Sequence, residues 1–251
     1  MDNRSFYYSQ NALSTYSSCQ LKFRRRYIDA LYWPHPASDQ LELGQNFHIL
    51  SQRYFSTGQY DCDGQLRSWM DLLAGYRPLT DDLVFLPEQE LRYKEDGLRL
   101  VAKYDLLVLS DSDQVFIYDW KTEERQLTRS YLEKTFQTSA YRFLMAKAGS
   151  VYWKRSLKPS DIVMVYWNPR FPQAPVALGY SEAQYERDER QLRQVISEIE
   201  GKDRNSFWPT TEERVCRSCE YAPLCEKDTS ASPDYPEEDD ISLSWDDIED
   251  V

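Results

Sequence analysis

No apolar run in this chain approaches the roughly 18 residues that a membrane-spanning helix needs. The opening residues, Met1-Asp2-Asn3-Arg4-Ser5, lack the pattern of a secretory signal. Both absences lead us to expect a cytoplasmic protein with no membrane partner. No internal repeat is visible. The chain is also short of positive charge, with 30 Lys and Arg against 42 Asp and Glu and a net charge of −12. Nine of the acids fall within residues 234–251, which contain no base, so the rest of the chain sits near −3. There is thus no broad basic footprint for a polyanion. Nucleic acid is still not excluded, because a metal site would itself gather carboxylates. One basic cluster stands out: Lys22, Arg24, Arg25 and Arg26.

The chain has 251 residues, within the range of one large domain or two small ones, and 41% of them are hydrophobic, enough for a core. Its most informative stretch runs from Glu90 to Tyr141. Leu98 to Leu109 and Gln114 to Lys121 are rich in β-branched and aromatic residues and are separated by the polar break Ser110-Asp111-Ser112-Asp113. That pattern predicts an antiparallel hairpin. Asp105 then lies within its first strand, and Asp119 ends the second, fourteen residues later. Lys121 is two residues beyond Asp119 and shares its face. Paired carboxylates can hold Mg²⁺ or Mn²⁺, and such a metal can polarise a phosphodiester and activate water. An adjacent lysine can stabilise the charge that develops.

Elsewhere, residues 10–32 read as a helix capped by Ser14 or Ser17 and ended by Trp33-Pro34-His35-Pro36. A second helix near 41–56 carries His48, which reads either as a satisfied histidine or as a metal ligand. Residues 57–64 read as a loop and 65–75 as a short helix. Leu83 to Tyr93 reads as a strand, placed at an edge or interrupted by Pro87. Its Glu90 is either solvated or a third acid near the metal. Residues 129–148 form an amphipathic helix ending at Gly149, with Gln137 and Tyr141 on one face. Asp161 to Trp167 and Val176 to Tyr180 read as strands, and 181–200 as a charged helix. Residues 229–251 read as an acidic, disordered tail, leaving 1–228 as the folded domain.

Cysteine is scarce, at five residues, but unevenly spread. Cys216, Cys219 and Cys225 lie within ten residues, in a C-x2-C-x5-C spacing unlike the paired C-x2-C sets of common zinc sites. In a cytoplasmic chain this predicts metal rather than disulfide, with Cys19 the best candidate for a fourth ligand and Cys62 a free thiol. Thiolates suit both zinc and iron–sulfur centres.

The hairpin, with its Asp105 and its Asp119-x-Lys121, resembles the PD-(D/E)XK nuclease superfamily. It is most similar to the RecB/AddB-like branch and to CRISPR-associated RecB-like exonucleases. Gln137-x3-Tyr141 matches the helix that follows in such proteins, and Gly44-x3-His48 their upstream histidine. Leu13 to Phe23, around Cys19, looks like their N-terminal signature. Ala102, Thr138 and Gln20 depart from the frequent glycine, leucine and proline of the pattern. The resemblance spans roughly residues 12 to 226.

It implies an α/β, restriction-endonuclease-like core, a mixed sheet flanked by helices, with the N- and C-terminal segments joined by a [4Fe–4S] cluster on Cys19, Cys216, Cys219 and Cys225. It also implies Mg²⁺ or Mn²⁺ on Asp105, Asp119 and His48, with Lys121 positioning water and Gln137 and Tyr141 guiding the strand. Lys22 and Arg24 to Arg26 would contact DNA phosphates. The implied activity is DNA cleavage at ends or on single strands, in repair, recombination or CRISPR adaptation. An alternative is a nuclease subunit that is weak alone, or a DNA-end-binding module, in a complex with a helicase or CRISPR-adaptation protein.

Overall fold

The long ribbon of β1 (Val84–Glu95) and β2 (Leu98–Leu109) is the spine of the molecule. The structure is a computed structural model, described over residues 6–32, 38–95, 97–110, 114–153, 156–217 and 219–225. The acidic tail expected beyond residue 228, the Trp33 to Pro36 stop and part of the Ser110 to Asp113 break lie outside the described residues. Gly97, at φ +78°, turns β1 into β2, a conformation glycine adopts without steric cost. β3 (Val115–Trp120) pairs antiparallel to β2, as the hairpin pattern predicts. β4 (Ile162–Trp167) runs parallel to β3, and β5 (Val176–Gly179) antiparallel to β4. The sheet is therefore mixed, in the order β1-β2-β3-β4-β5, with Pro87 on an edge strand, where its missing N–H costs no ladder bond.

Helices cover both faces. α1 (Gln10–Ser18), α6 (Phe136–Ala148) and α8 (Glu182–Glu200) close one core, built with Leu100, Tyr104, Ile117 and Tyr166. α3 (Asp39–Thr57) and α4 (Gly64–Tyr76) close the other, an aromatic core of Phe47, Trp69, Trp120 and Trp167. Burying each such side chain contributes roughly 1.5–3 kcal/mol, which anchors α3 and α4 despite their polar outer faces. Among the described residues no helix is long and apolar enough to cross a membrane.

Two expected helices are broken. The stretch 10–32 is capped by Ser9 and interrupted at Cys19, whose extended backbone (φ −156°) ends α1 and whose Sγ caps α2 (Gln20–Phe23). A π-helical turn, Arg24–Ile28, follows. The stretch 129–148 splits into α5 (Arg129–Leu132) and α6, because the Thr135 side chain caps a new start at Thr138 N. Threonine at a helix N-cap competes with continuation of the helix before it. α7 (Ser150–Trp153) and α9 (Glu213–Arg217) are short.

Candidate metal centre and active site

The ribbon is irregular at one place. Leu98, Leu100, Ala102 and Tyr104 of β2 face the α6 core, but beyond Asp105 the even positions Leu106 and Val108 face the α3–α4 core. β1 inverts in the same way: Leu91 and Tyr93 join the α6 core, while Phe85 packs against the other. Pro87 pairs with Leu106 and Gln89 with Tyr104, which leaves Glu88 opposite Asp105 in register. Glu88 has φ +52°, a left-handed conformation that costs an L-residue roughly 1–2 kcal/mol. Strain of this kind clusters at functional sites. Here it turns the Glu88 side chain toward Asp105 and His48.

His48, Glu88 and Asp105 offer ligand atoms that all lie within 4.8 Å of one another. His48 arrives from α3. One turn earlier, a Cβ on Gly44 would stand 2.8 Å from Thr122 Oγ1, so glycine lets α3 approach the segment that follows β3. His48 Nδ1 lies 3.3 Å from Asp105 Oδ1, yet is buried without an aligned hydrogen bond. Asp105 Oδ2 accepts the Trp120 backbone N–H at 2.7 Å, which ties β2 to the end of β3.

Asp119 and Lys121 do share a face. Lys121 Nζ is 2.7 Å from Asp119 Oδ2, and its backbone N–H donates to Trp167 O at 2.9 Å, extending the pairing of β3 with β4. Gln137, on the first turn of α6, spans the pair: its Nε2 donates to Asp119 Oδ1 at 2.6 Å, and its Oε1 accepts from Lys121 Nζ at 3.0 Å. The Tyr166 ring lies 5.7 Å from Lys121 Nζ, and the Tyr166 hydroxyl meets Thr138 Oγ1 at 2.7 Å. Thr138, which stands where the family pattern has leucine, is fully buried and donates to Leu132 O at 2.6 Å. α3 and α6 thus reach the end of the hairpin from opposite faces of the sheet.

Each carboxylate has a cationic neighbour, Lys121 for Asp119, His48 for Asp105 and, at 3.5 Å, Lys103 Nζ for Glu88, yet burial still perturbs them. Burial and the Asp105 charge push Glu88 up to about 7. Burial likewise raises Asp119 to about 6, against the pull of Lys121. Burial opposes ionisation of Asp105 too, but His48, the Trp120 N–H and Lys121 hold it below the usual carboxylate range. Burial alone would lower His48; Asp105, Asp119 and Glu88 instead raise it to about 9. Strongly perturbed carboxylates around an imidazole mark a candidate functional site. Two oxygen donors and an imidazole suit a small divalent cation.

The remaining candidates are placed differently. Tyr141 is buried in the α6 core, its ring 5.0 Å from Tyr104 and its carbonyl accepting from the Tyr104 hydroxyl. Glu90 is exposed and accepts from Arg92 Nε at 2.5 Å, away from the cluster. Sequence reading missed Glu88, because strand alternation gives 88 and 90 one face. The signal for it was Pro87, together with the register that sets 88 against 105.

The basic cluster is turned inward. Lys22 Nζ lies 2.8 Å and Arg26 3.8 Å from buried Glu220, and Arg24 Nε 3.2 Å from Asp29. Arg25 donates to the carbonyls of Tyr221 and Leu224. With Leu21 N donating to Trp208 O and the Tyr221 hydroxyl to Leu31 O, these contacts fasten the N-terminal segment to the C-terminal one. Burial pushes the Cys219 thiol up to about 11, with Cys19 adding slightly in the same direction. Cys216 and Cys225 are partly buried and form no disulfide, as is the case for Cys62, which packs beside the α3–α4 core.

A family model of the PD-(D/E)XK nuclease superfamily matches residues 7–226. The chain belongs to this superfamily. A solved structure named "Putative exonuclease", from Eubacterium rectale, shares the fold with a TM-score of 0.52 and 5% identity, over 77% of this chain and 79% of its own. SSO0001 aligns over 88% of this chain and 86% of its own with 11% identity and a TM-score of 0.44, too loose a likeness to support any inference. No curated protein matches the chain. At so low an identity the first likeness concerns the fold alone, and the superfamily assignment rests on the family model.

Proposed function

We propose that the chain hydrolyses phosphodiester bonds of DNA with Mg²⁺ or Mn²⁺, acting at ends or on single strands. The observation that carries this reading is the convergence of His48, Glu88 and Asp105 beside the Asp119–Lys121–Gln137 triad. His48, Glu88, Asp105 and Asp119 would hold the metal, which supplies a Lewis acid and a water of lowered pKa. Binding it would expel the proton that His48 carries among the acids. Lys121 would stabilise charge on the phosphoryl oxygens or orient the water, in a place fixed by Asp119, Gln137 and the face of Tyr166. Gln137 would act through Lys121 and Asp119, and buried Tyr141 by seating α6 on the sheet. Incubating the protein with labelled single-stranded and duplex DNA, with Mn²⁺ or with EDTA, tests the reading. Cleavage that EDTA leaves intact, or no cleavage of either DNA, sinks it.

We further infer that Cys19, Cys216, Cys219 and Cys225 hold a [4Fe–4S] cluster. Its support is the family resemblance and the junction that brings the segment carrying Cys19 against the one carrying Cys216, Cys219 and Cys225. Such a centre would add its binding energy to a junction that hydrogen bonds and ion pairs already form. A brown protein absorbing near roughly 400 nm, with iron and sulfide on analysis, is the expected result. Stoichiometric zinc without iron would replace the cluster with a zinc clip. The helicase or CRISPR-adaptation setting belongs to the same reading, and pull-down of a helicase or an integrase-type partner would support it.

A further inference from the structure

The first basic cluster is engaged within the fold, and a second basic surface lies nearer the metal centre. Between the α5–α6 elbow and α8 lies a cleft of about 460 Å³, lined by Glu133, Lys134, Arg142, Gln184, Arg187, Asp188 and Gln191. One wall is a single helix face: Gln184, Arg187, Asp188 and Gln191 recur at the spacing that stacks side chains along α8. The other wall is the elbow. Arg142 forms the floor, almost wholly buried, donating to Thr138 O at 3.2 Å and to Gly179 O at 3.0 Å.

The charges in this cleft do not cancel. Asp188 is engaged by Arg142 at 3.5 Å, and Glu133 by Arg129 at 3.3 Å. Lys134 and Arg187 are exposed, and among the described residues neither forms a direct ion pair; Arg187 acts on Asp188 only through its field. The cleft therefore presents two exposed cations above a neutralised floor. Its position ties it to the metal centre. Lys134 precedes the Thr135 cap of α6, and Gln137, three residues on, holds Asp119 and Lys121. Three residues span at most roughly 11 Å, about two phosphate spacings of an extended strand.

We propose that this cleft is the subsite for the sugar–phosphate backbone of the single strand entering or leaving the metal centre, with Lys134 and Arg187 as its phosphate contacts. A mobile lysine and an arginine fork supply charge and directed hydrogen bonds to phosphate oxygens without reading bases. The subsite deepens the nuclease reading and rests on it for the strand's destination. Its test does not depend on cleavage, because binding is measured without divalent metal.

The experiment titrates a fluorescein-labelled oligothymidine against the full-length protein by anisotropy, over a series of salt concentrations. On a single strand, each phosphate neutralised by the protein adds about 0.7 to the steepness of log affinity against log salt. The double variant Lys134→Gln/Arg187→Gln should therefore flatten the slope by about 1.4 and weaken binding at least about tenfold at moderate salt. Lys134→Arg/Arg187→Lys should restore most of both. Arg190→Gln, on the same helix but paired with Glu186, should change neither. Unchanged affinity and slope in the double Gln variant overturn the subsite. So does an equal weakening with Arg190→Gln, which would mean bulk charge alone, and so does a wild-type protein that binds no oligothymidine. Binding as expected with no metal-dependent cleavage would leave the subsite standing and overturn the nuclease reading.

Discussion

The metal centre and the terminal junction are made of the same materials and come out opposite. At the junction, one buried carboxylate, Glu220, stands between Lys22 and Arg26, while Arg25 answers two backbone carbonyls. Cations outnumber the anion, and the contacts join segments nearly 200 residues apart in the chain, with Arg25 and Tyr221 separated by 196 positions. At the centre, Glu88, Asp105 and Asp119 crowd against His48 and Lys121, and Glu88 holds a backbone conformation that costs energy. Burial drives Glu88 and Asp119 toward protonation there even though Lys103 lies 3.5 Å from the first and Lys121 2.7 Å from the second. A cluster whose charges are engaged within the fold is structure. One whose carboxylates stay perturbed by burial in spite of their partners, beside a strained backbone, is a candidate functional site.

The comparison breaks most sharply in catalysis. Lys121→Ala should lower turnover of labelled single-stranded DNA in Mn²⁺ by roughly 100- to 1000-fold with little change in melting temperature. Full activity in that variant would remove Lys121 from the chemistry. Next comes metal-linked stability. Mn²⁺ at about 100 times its Kd should stabilise the wild type by about 2.7 kcal/mol, read as a rise in melting midpoint. His48→Ala and Asp105→Ala should abolish most of that rise. Glu220→Ala should do the reverse, lowering stability by about 1–3 kcal/mol while keeping the Mn²⁺-induced rise, because it removes the partner of two charges at the junction. If Glu220→Ala instead abolished the rise, the two regions would not be separable.

Smaller effects sharpen the same contrast. Glycine adopts φ +52° freely, so Glu88→Gly should be more stable than Glu88→Ala by about 1 kcal/mol in denaturant titration, although both weaken Mn²⁺ binding. Equal stabilities would mean that the backbone relaxes once the carboxylate is gone. Tyr166→Phe should have the least effect, a few-fold drop in turnover with KM held. It removes only the hydroxyl that meets Thr138 and keeps the ring beside Lys121. A rise in KM alone would assign Tyr166 to strand binding.

What the sequence determined by itself is what depends on local pattern and short separation. Alternation and turn chemistry specify the β2–β3 hairpin, hence Asp105 on one strand and Asp119 with Lys121 at the end of the next. Helical spacing specifies α3 with His48 and a helix carrying Gln137, but the break at Thr135 that puts Gln137 on the first turn of α6 lay outside that reading. The tertiary structure decided the rest. Glu88 enters the cluster because a left-handed residue inverts the side-chain alternation of a ribbon, which period-2 reading cannot foresee. Lys22, Arg25 and Arg26 turn inward because Glu220 and two C-terminal carbonyls wait there, and no local signal foretells a partner so far along the chain. Charge can be counted from a sequence, but whether a charge is already matched depends on what folding brings within a few ångströms of it.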